Sequence, residues 1–540
     1  MTTFLRAFTL AAALLSLTMT QGFAAKAVEY DQATIADLSA AMTAGTLTSE
    51  KLVQLCLARI DAFDRKGPSL HAVMALNPHA IEQAKALDAE RKAKGRRSLL
   101  HGIPVVLKDN YDTFDMPTTG GSVLLEGSVP AKDAFVVKKL RDAGAIILAK
   151  VNMSEFASGG TYSSLGGQSL NPHDLTRGPS GSSGGTGVAI AAAYAPIGLG
   201  TDTGGSIRGP ATTNGIAALK PTHGLLSRSG IIPLALSFDT GGPMARSVYD
   251  VAAALGVMTG LDSADAATAK SDGKFLTDYT KALNADALKG ARIGIARDFL
   301  GADPDVDWVM EAAFAAMKSA GATLVDVRYP KWLLDAKEDF YQTMRYPEFV
   351  VQIAEYLKGT GPKYPKSLAE MIERANQFTG TRADGARPNP SRWTLFKREL
   401  ESNSTDDYRY KAVRDFGLPM VRAVVDGMLD AQRLDAIVYP TTSRRPSLIA
   451  ATAGTGTTVA SALSASGLAA SNIANLTGFP DLIVPAGFTG DSLPVGLSFL
   501  GRAFSEQKLL SIGYSFEQAT RARRRPVHTP ALPGEAVERP

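Results

Sequence analysis

The stretch Gly178–Thr222 reads GPSGSSGGTGVAIAAAYAPIGLGTDTGGSIRGPATTNGIAALKPT. It holds two glycine–serine clusters, Gly181-Ser182-Ser183-Gly184-Gly185 and Gly204-Gly205-Ser206-Ile207-Arg208. Between them, the small residues Gly187–Tyr194 predict a buried helix, and Ile197–Gly200 predicts a short strand running into the second cluster. Glycine lets the backbone approach a ligand closely and adopt φ > 0. Two such clusters on either side of one helix can bring two hydroxyls and a row of backbone N–H groups to a single point. That is the equipment for acyl transfer, a serine nucleophile with an oxyanion hole.

Outward from this stretch, strands and helices alternate. Residues 34–64 predict two helices, with Thr48 or Ser49 as the N-cap of the second, and residues 78–94 predict a third. Ile103–Lys108 is a short apolar strand closed by Asp109-Asn110, Ala134–Asp142 a helix and Ala145–Ala149 a strand. Arg292–Ala296 and Thr323–Val327 predict two further strands, and Asp435–Pro440 returns the chain to the sheet. The alternation predicts an α/β core with a large mixed sheet. From about 329 to 434 the pattern turns helical, with many aromatics and with Pro362, Pro365, Pro388 and Pro390. Ala451–Ala470, rich in small residues, reads as a mobile loop or a small-residue helix.

The quoted stretch resembles the signature of the amidase signature family of serine hydrolases. Three other blocks carry the same resemblance: Leu100–Asn110 (LHGIPVVLKDN), Gly144–Phe156 (GAIILAKVNMSEF), and the C-terminal pair Gly478–Pro485 and Leu493–Leu497. Within the family, Asn214–Val248 is most similar to bacterial secreted peptide amidases. The resemblance implies one large amidase domain over 28–540, a central mixed β-sheet flanked by helices. It also implies that the helical region 329–434 is the variable part that shapes substrate choice over the site.

Composition is that of an ordinary globular protein, with 45% apolar and 20% charged residues in 540. A net charge of +4 gives no case for nucleic-acid binding. The run Arg521-Ala522-Arg523-Arg524-Arg525 reads as a solvated helix end before Pro526. Met1–Arg6, the apolar Ala7–Thr18 and the small residues Gly22, Ala24, Ala25 and Ala27 have the layout of a secretory signal peptide, residues 1–27, cleaved after Ala24 or Ala27. The apolar run is short for a membrane anchor, which needs ~20 residues. The expected mature protein is therefore periplasmic or secreted, without stable membrane insertion. The single cysteine, Cys56, sits at a helical core position and excludes an intramolecular disulfide.

A serine hydrolase commonly pairs its nucleophile with His and Asp. The six histidines show no such setting, and no G-x-S-x-G elbow occurs. His101, near Lys108, reads as a base or, more simply, as a turn residue before Gly102. The family resemblance implies another triad: Ser206 as nucleophile, Ser182 as a bridging serine after a cis peptide bond, and Lys108 as base. It further implies an oxyanion hole from the backbone N–H groups of Thr203, Gly204, Gly205 and Ser206. Ser183 is expected to support the Ser182 hydrogen bonds, and Asp202 and Arg208 to fix the glycine loop. A lysine can serve as base only when neutral, and the apolar Ile103–Leu107 can bury it enough to lower its pKa from ~10.4. Lys150 and Lys220 are the competing lysines.

Rival readings are a phosphate cradle, a Ser-x-x-Lys hydrolase, a silent binding protein on the same fold, and the amidotransferase-type component that serves misacylated transfer RNA. The P-loop lysine is missing after both clusters. The Ser-x-x-Lys spacing occurs at Ser271–Lys274 and Ser505–Lys508, without Lys-Thr-Gly. The expected substrate is a small-molecule or peptide amide. No cofactor and no metal are expected, and the oligomeric state is not legible.

Overall fold

In a computed structural model, residues 27–158, 160–449 and 471–539 are described. The signal-peptide reading therefore lies outside the described residues except at Ala27, and Ala451–Ala470 lies outside them entirely.

Eleven strands build the central sheet: β1 (Val73–Leu76), β2 (Pro104–Lys108), β3 (Ile146–Val151), β4 (Ile197–Asp202), β5 (Ala217–Lys220), β6 (Thr240–Ala245), β7 (Arg292–Ala296), β8 (Thr323–Val327), β9 (Ala436–Pro440), β10 (Asp481–Phe488) and β11 (Pro494–Leu500). Their spatial order is β8-β7-β9-β11-β10-β5-β6-β4-β2-β3-β1. Pairing is parallel for β8-β7-β9 and for β4-β2-β3, and antiparallel between these groups. The mixed sheet expected from the alternating elements is present, and β2, β3 and β4 are buried along their whole length. Such strands need no polar alternation, because helices cover both faces.

The parallel neighbours β2 and β4 position the site. Val105 pairs with Ile197 and Leu107 with Leu199, so both carboxyl ends open on one edge of the sheet. Open α/β sheets bind ligands at this edge. The helix between the two glycine clusters spans Gly184–Ala191, three residues earlier than its sequence suggests. Glycine's poor helix propensity argues against starting at Gly184-Gly185, but packing decides otherwise. A Cβ on Gly185 would stand 2.3 Å from the Asn152 carbonyl oxygen, so only glycine lets this helix seat on β3's exit. Ser182 and Ser183 are thereby placed at the helix N-terminus.

The region 329–434 is helical, with Lys331–Lys358, Leu368–Gln377, Pro390–Leu400, Tyr408–Ala412 and Leu418–Ala431. Phe349, Ile353, Trp393 and Phe396 pack on Phe156 and Ile232 of the site-bearing part. The buried Glu155 carboxylate ties this layer down by accepting from Ser122 Oγ at 2.6 Å, Asn389 Nδ2 at 2.9 Å and Trp393 Nε1 at 3.1 Å.

Ala27–Glu29 pairs antiparallel with Ala536–Glu538, so the two ends of the described chain meet. The Arg521–Arg525 cluster belongs to this closure and is not merely solvated. Arg525 pairs with Asp31 at 2.5 Å, Arg523 donates to the Asp31 carbonyl at 2.7 Å, and Arg524 lies over the Phe488 ring. Charge-run reasoning missed this because Asp31 is distant in sequence.

Candidate active site

Lys108 ends β2 with its side chain fully buried. Its Nζ donates to Ser182 Oγ at 2.7 Å, to Thr201 Oγ1 at 2.7 Å and to the Thr201 carbonyl at 3.4 Å. Burial pulls its pKa down to about 7, against the opposing fields of Asp202 and Asp239. A neutral amine beside a serine hydroxyl is what proton abstraction requires.

The Gly181–Ser182 peptide bond is cis. Ser182 is buried, and its carbonyl accepts from the Ser154 N–H at 3.0 Å. Ser183 works differently from expectation. Its hydroxyl donates to the Thr201 carbonyl at 3.2 Å and accepts from the Thr201 N–H at 3.3 Å, so it secures β4 and not Ser182. Its own N–H donates to the Ser206 carbonyl at 3.1 Å, which joins the two glycine clusters. Ser206 is half-buried. No hydrogen bond joins its hydroxyl to Ser182 among the described residues; such bonds are often long until substrate arrives.

Asp202 and Arg208 both bond to the glycine loop or to each other. The Asp202 carboxylate accepts from the N–H groups of Gly205 at 2.9 Å and Ile207 at 3.0 Å. The fully buried Arg208 guanidinium donates to both Asp202 oxygens at 3.1 Å, to Asp481 at 3.0 Å and to Asn475 at 2.6 Å. Burial opposes the Asp202 charge, but Arg208 wins and holds the carboxyl well below the usual range. One expected role changes. The Gly205 N–H is spent on Asp202, and with φ at 123° this residue makes the turn that only glycine tolerates. The Thr203, Gly204 and Ser206 N–H groups have no acceptor among the described residues.

Four residues escaped the sequence reading. Thr201 bridges Lys108 and Asn110, whose Nδ2 lies 3.0 Å from Thr201 Oγ1. Asp239 accepts from the Thr203 hydroxyl and from the Leu234 and Ala235 N–H groups at 2.9 and 3.0 Å. Asn110, Thr201, Thr203 and Asp239 line one cleft together with Ile231 and Ile232. Tyr341, from the helix Lys331–Lys358, stacks on Phe238 at 5.4 Å and reaches Gly204. Thr201 and Asn110 lie inside the quoted motifs, but no local spacing says that they meet. Asp239 and Tyr341 carried no signal.

The other candidates are placed elsewhere. His101 is buried, with Nε2 2.9 Å from the Leu87 carbonyl and Nδ1 accepting from the Arg97 N–H. Lys150 pairs with Asp109 at 3.3 Å, and Lys220 donates to the Pro221 and Phe479 carbonyls. Ser271 Oγ donates to the Thr268 carbonyl, while Lys508 pairs with Asp435, so neither Ser-x-x-Lys spacing joins a serine hydroxyl to a lysine amine among the described residues. Cys56 is a core residue 3.1 Å from the Tyr30 hydroxyl.

Fold and site together define a class: an α/β protein in which two glycine–serine clusters meet a buried lysine. The amidase family pattern matches residues 51–510, and the chain belongs to that family. The chain is similar to the peptide amidase of Stenotrophomonas maltophilia, with 38% identity and a TM-score of 0.81 over 93% of this chain and 99% of that one. It is 36% identical to one component of the glutamyl-tRNA(Gln) amidotransferase of Halorhodospira halophila, over 91% of this chain and 97% of the relative. It is 33% identical to a probable amidase of Arabidopsis thaliana over 92% of this chain and 91% of the relative.

Proposed function

We propose that this protein is an exported amidase that hydrolyses a carboxamide to a carboxylate and ammonia or an amine, with C-terminal peptide amides or amino-acid amides as substrates. The observation that carries the reading is the buried Lys108 Nζ, held near neutrality, 2.7 Å from Ser182 Oγ. Neutral Lys108 takes the Ser182 proton, Ser182 takes the Ser206 proton, and Ser206 Oγ attacks the amide carbon. The N–H groups of Thr203, Gly204 and Ser206 receive the developing oxyanion, each worth ~2.7–4 kcal/mol. The relay then returns a proton to the leaving nitrogen, and water releases the acid from the acyl-enzyme. Similarity to the Stenotrophomonas peptide amidase supports the substrate class. Export rests on the N-terminal layout of Met1–Ala27.

A second reading, an amidotransferase-type component, is favoured by the 36% identity to a component of a glutamyl-tRNA(Gln) amidotransferase. It uses the same residues on a different amide.

The test compares the protein lacking residues 1–27 with Ser206→Ala on a peptide amide, an amino-acid amide, an aryl amide, an aliphatic amide and glutamine. Turnover of the first two that vanishes in Ser206→Ala, with an unchanged melting curve, supports the proposal. Selective glutamine turnover favours the second reading. Full activity in Ser206→Ala rejects both.

A further inference from the structure

Thr201 Oγ1 stands between two polar side chains, Lys108 Nζ at 2.7 Å and the Asn110 amide at 3.0 Å. All three residues are buried. Lys108 Nζ thus faces three oxygens: Ser182 Oγ, Thr201 Oγ1 and the Thr201 carbonyl. A protonated lysine has three N–H donors, one for each oxygen. A neutral lysine has two donors and one lone pair, so one hydroxyl must turn its proton toward the nitrogen. In the proposed relay only Ser182 hands a proton on from Ser206. If Thr201 turned instead, the lone pair would be occupied by a hydroxyl that leads nowhere.

We propose that Asn110 decides this competition: its amide oxygen accepts the Thr201 hydroxyl proton, which keeps Thr201 an acceptor toward Lys108 and leaves Ser182 the only proton donor to the lysine nitrogen. The inference rests on the reading of Lys108 as base. Asn110 is a positioning residue that acts through Thr201.

Two orphaned groups motivate it. With Nδ2 directed at Thr201, Asn110 Oδ1 is buried without a partner among the described residues. The Thr201 hydroxyl receives from Lys108 and Asn110 but has no acceptor for its own proton among the described residues. Turning the carboxamide by half a rotation pairs these two groups and carries Nδ2 to the position Oδ1 holds, and the two ends of an amide have nearly the same shape. Buried polar groups are found paired in the great majority of cases.

The protons then balance. The Ser182 proton moves to the Lys108 lone pair, the Ser206 proton moves to Ser182 Oγ, and the new ammonium donates to Ser182 Oγ, Thr201 Oγ1 and the Thr201 carbonyl. Thr201 keeps its own proton on Asn110 throughout. The charged groups facing Lys108 are Asp202 and Asp239, and neither changes in the variants below.

Phenylmethanesulfonyl fluoride tests this without knowledge of the physiological amide. Sulfonylation of Ser206, with loss of fluoride, is followed by intact mass from about pH 5 to pH 10, a window that brackets the lowered Lys108 pKa of about 7. The proteins are wild type, Lys108→Ala, Asn110→Leu, Asn110→Asp, Thr201→Val and the Asn110→Leu/Thr201→Val double variant. The expected rate in wild type climbs to a plateau. Asn110→Leu lowers the plateau about tenfold, the scale of one misdirected hydrogen bond. In the Thr201→Val background the same change alters it by no more than about twofold. Asn110→Asp keeps an acceptor for Thr201, so its plateau stays and its inflection moves to higher pH, because a carboxylate favours the charged lysine. Should Asn110→Leu fail to melt cooperatively, Asn110→Ala replaces it in the cycle.

An equal loss from Asn110→Leu in both backgrounds overturns the inference alone. So does a lost plateau in a normally melting Asn110→Asp, which would make Asn110 a donor. An unreactive wild type, or Lys108→Ala sulfonylated as fast as wild type, overturns the base assignment and this inference with it.

Discussion

Lys108 Nζ and Ser182 Oγ, from the end of β2 and the start of the helix Gly184–Ala191, meet at 2.7 Å inside a buried junction closed by Thr201. A lysine in that position is held near neutrality by burial, at about 7. Catalytic turnover should therefore climb as pH rises through about 7 and level off above it, since the base must be unprotonated. Initial rates at saturating and limiting substrate across this window check the inflection. A rate that falls with rising pH over the same window would remove Lys108 as base.

The same burial has a stability consequence with a definite sign. The folded pKa of about 7 lies below the unfolded value of ~10.4, so between them the unfolded chain binds the extra proton. Stability from this group therefore rises with pH across that window, and the cost of burying the amine is constant below it. Lys108→Met should melt at or above the wild-type temperature at pH 7, and its advantage should shrink toward pH 10. Identical pH slopes for the two proteins in thermal unfolding would refute this.

Arg208 is buried between Asp202 and Asp481, and the Asp202 carboxylate also receives two loop N–H groups. Asp202→Asn breaks a buried ion pair and weakens the loop's anchor together. The expected cost is about 3–5 kcal/mol in urea unfolding, since the buried guanidinium loses one of its two carboxylate partners and the loop loses a charged anchor. A loss under about 1 kcal/mol, the scale of an exposed pair, would mean that Asp481 alone satisfies Arg208.

Thr203 carries one of the open N–H donors, and its hydroxyl is held by Asp239. Thr203→Val removes that tether while leaving the Leu234 and Ala235 N–H groups on the carboxylate. The donor loosens where the proposed mechanism forms the oxyanion, so kcat should fall about tenfold with KM nearly unchanged. An effect confined to KM would assign Thr203 to substrate binding.

Tyr341 stands against the loop at Gly204. A Cβ on Gly204 would stand 2.7 Å from its hydroxyl oxygen. Gly204→Ala should thus cost about a hundredfold in activity, the scale of a misplaced catalytic group. Adding Tyr341→Ala should return part of the rate on the smallest amide of the panel. Absence of any rescue would place the strain within the loop backbone.

Much of the architecture is legible from local pattern. The apolar runs at 103–108 and 197–200 and the glycine clusters mark strands and turns because side-chain period and backbone freedom act within a few residues. The helix at Gly184 begins earlier than propensity allows, since contact with Asn152 outweighs the entropy of glycine. The arginine cluster near the C-terminus was misread for a related reason. Its partner Asp31 sits at the opposite end of the chain.

By itself, then, the sequence determined the residue types of the site: two hydroxyls in glycine settings, and a lysine behind an apolar strand. Tertiary structure alone decided their partners. The parallel register of β2 against β4 sets Lys108 beside Thr201, Ser183 serves β4 instead of Ser182, and the Gly205 N–H belongs to Asp202. The helix Lys331–Lys358 brings Tyr341 to Gly204. Hydrogen bonds act over about 3 Å and only at defined angles, so which groups pair depends on strand register and helix seating, and these emerge only when segments far apart in sequence pack together.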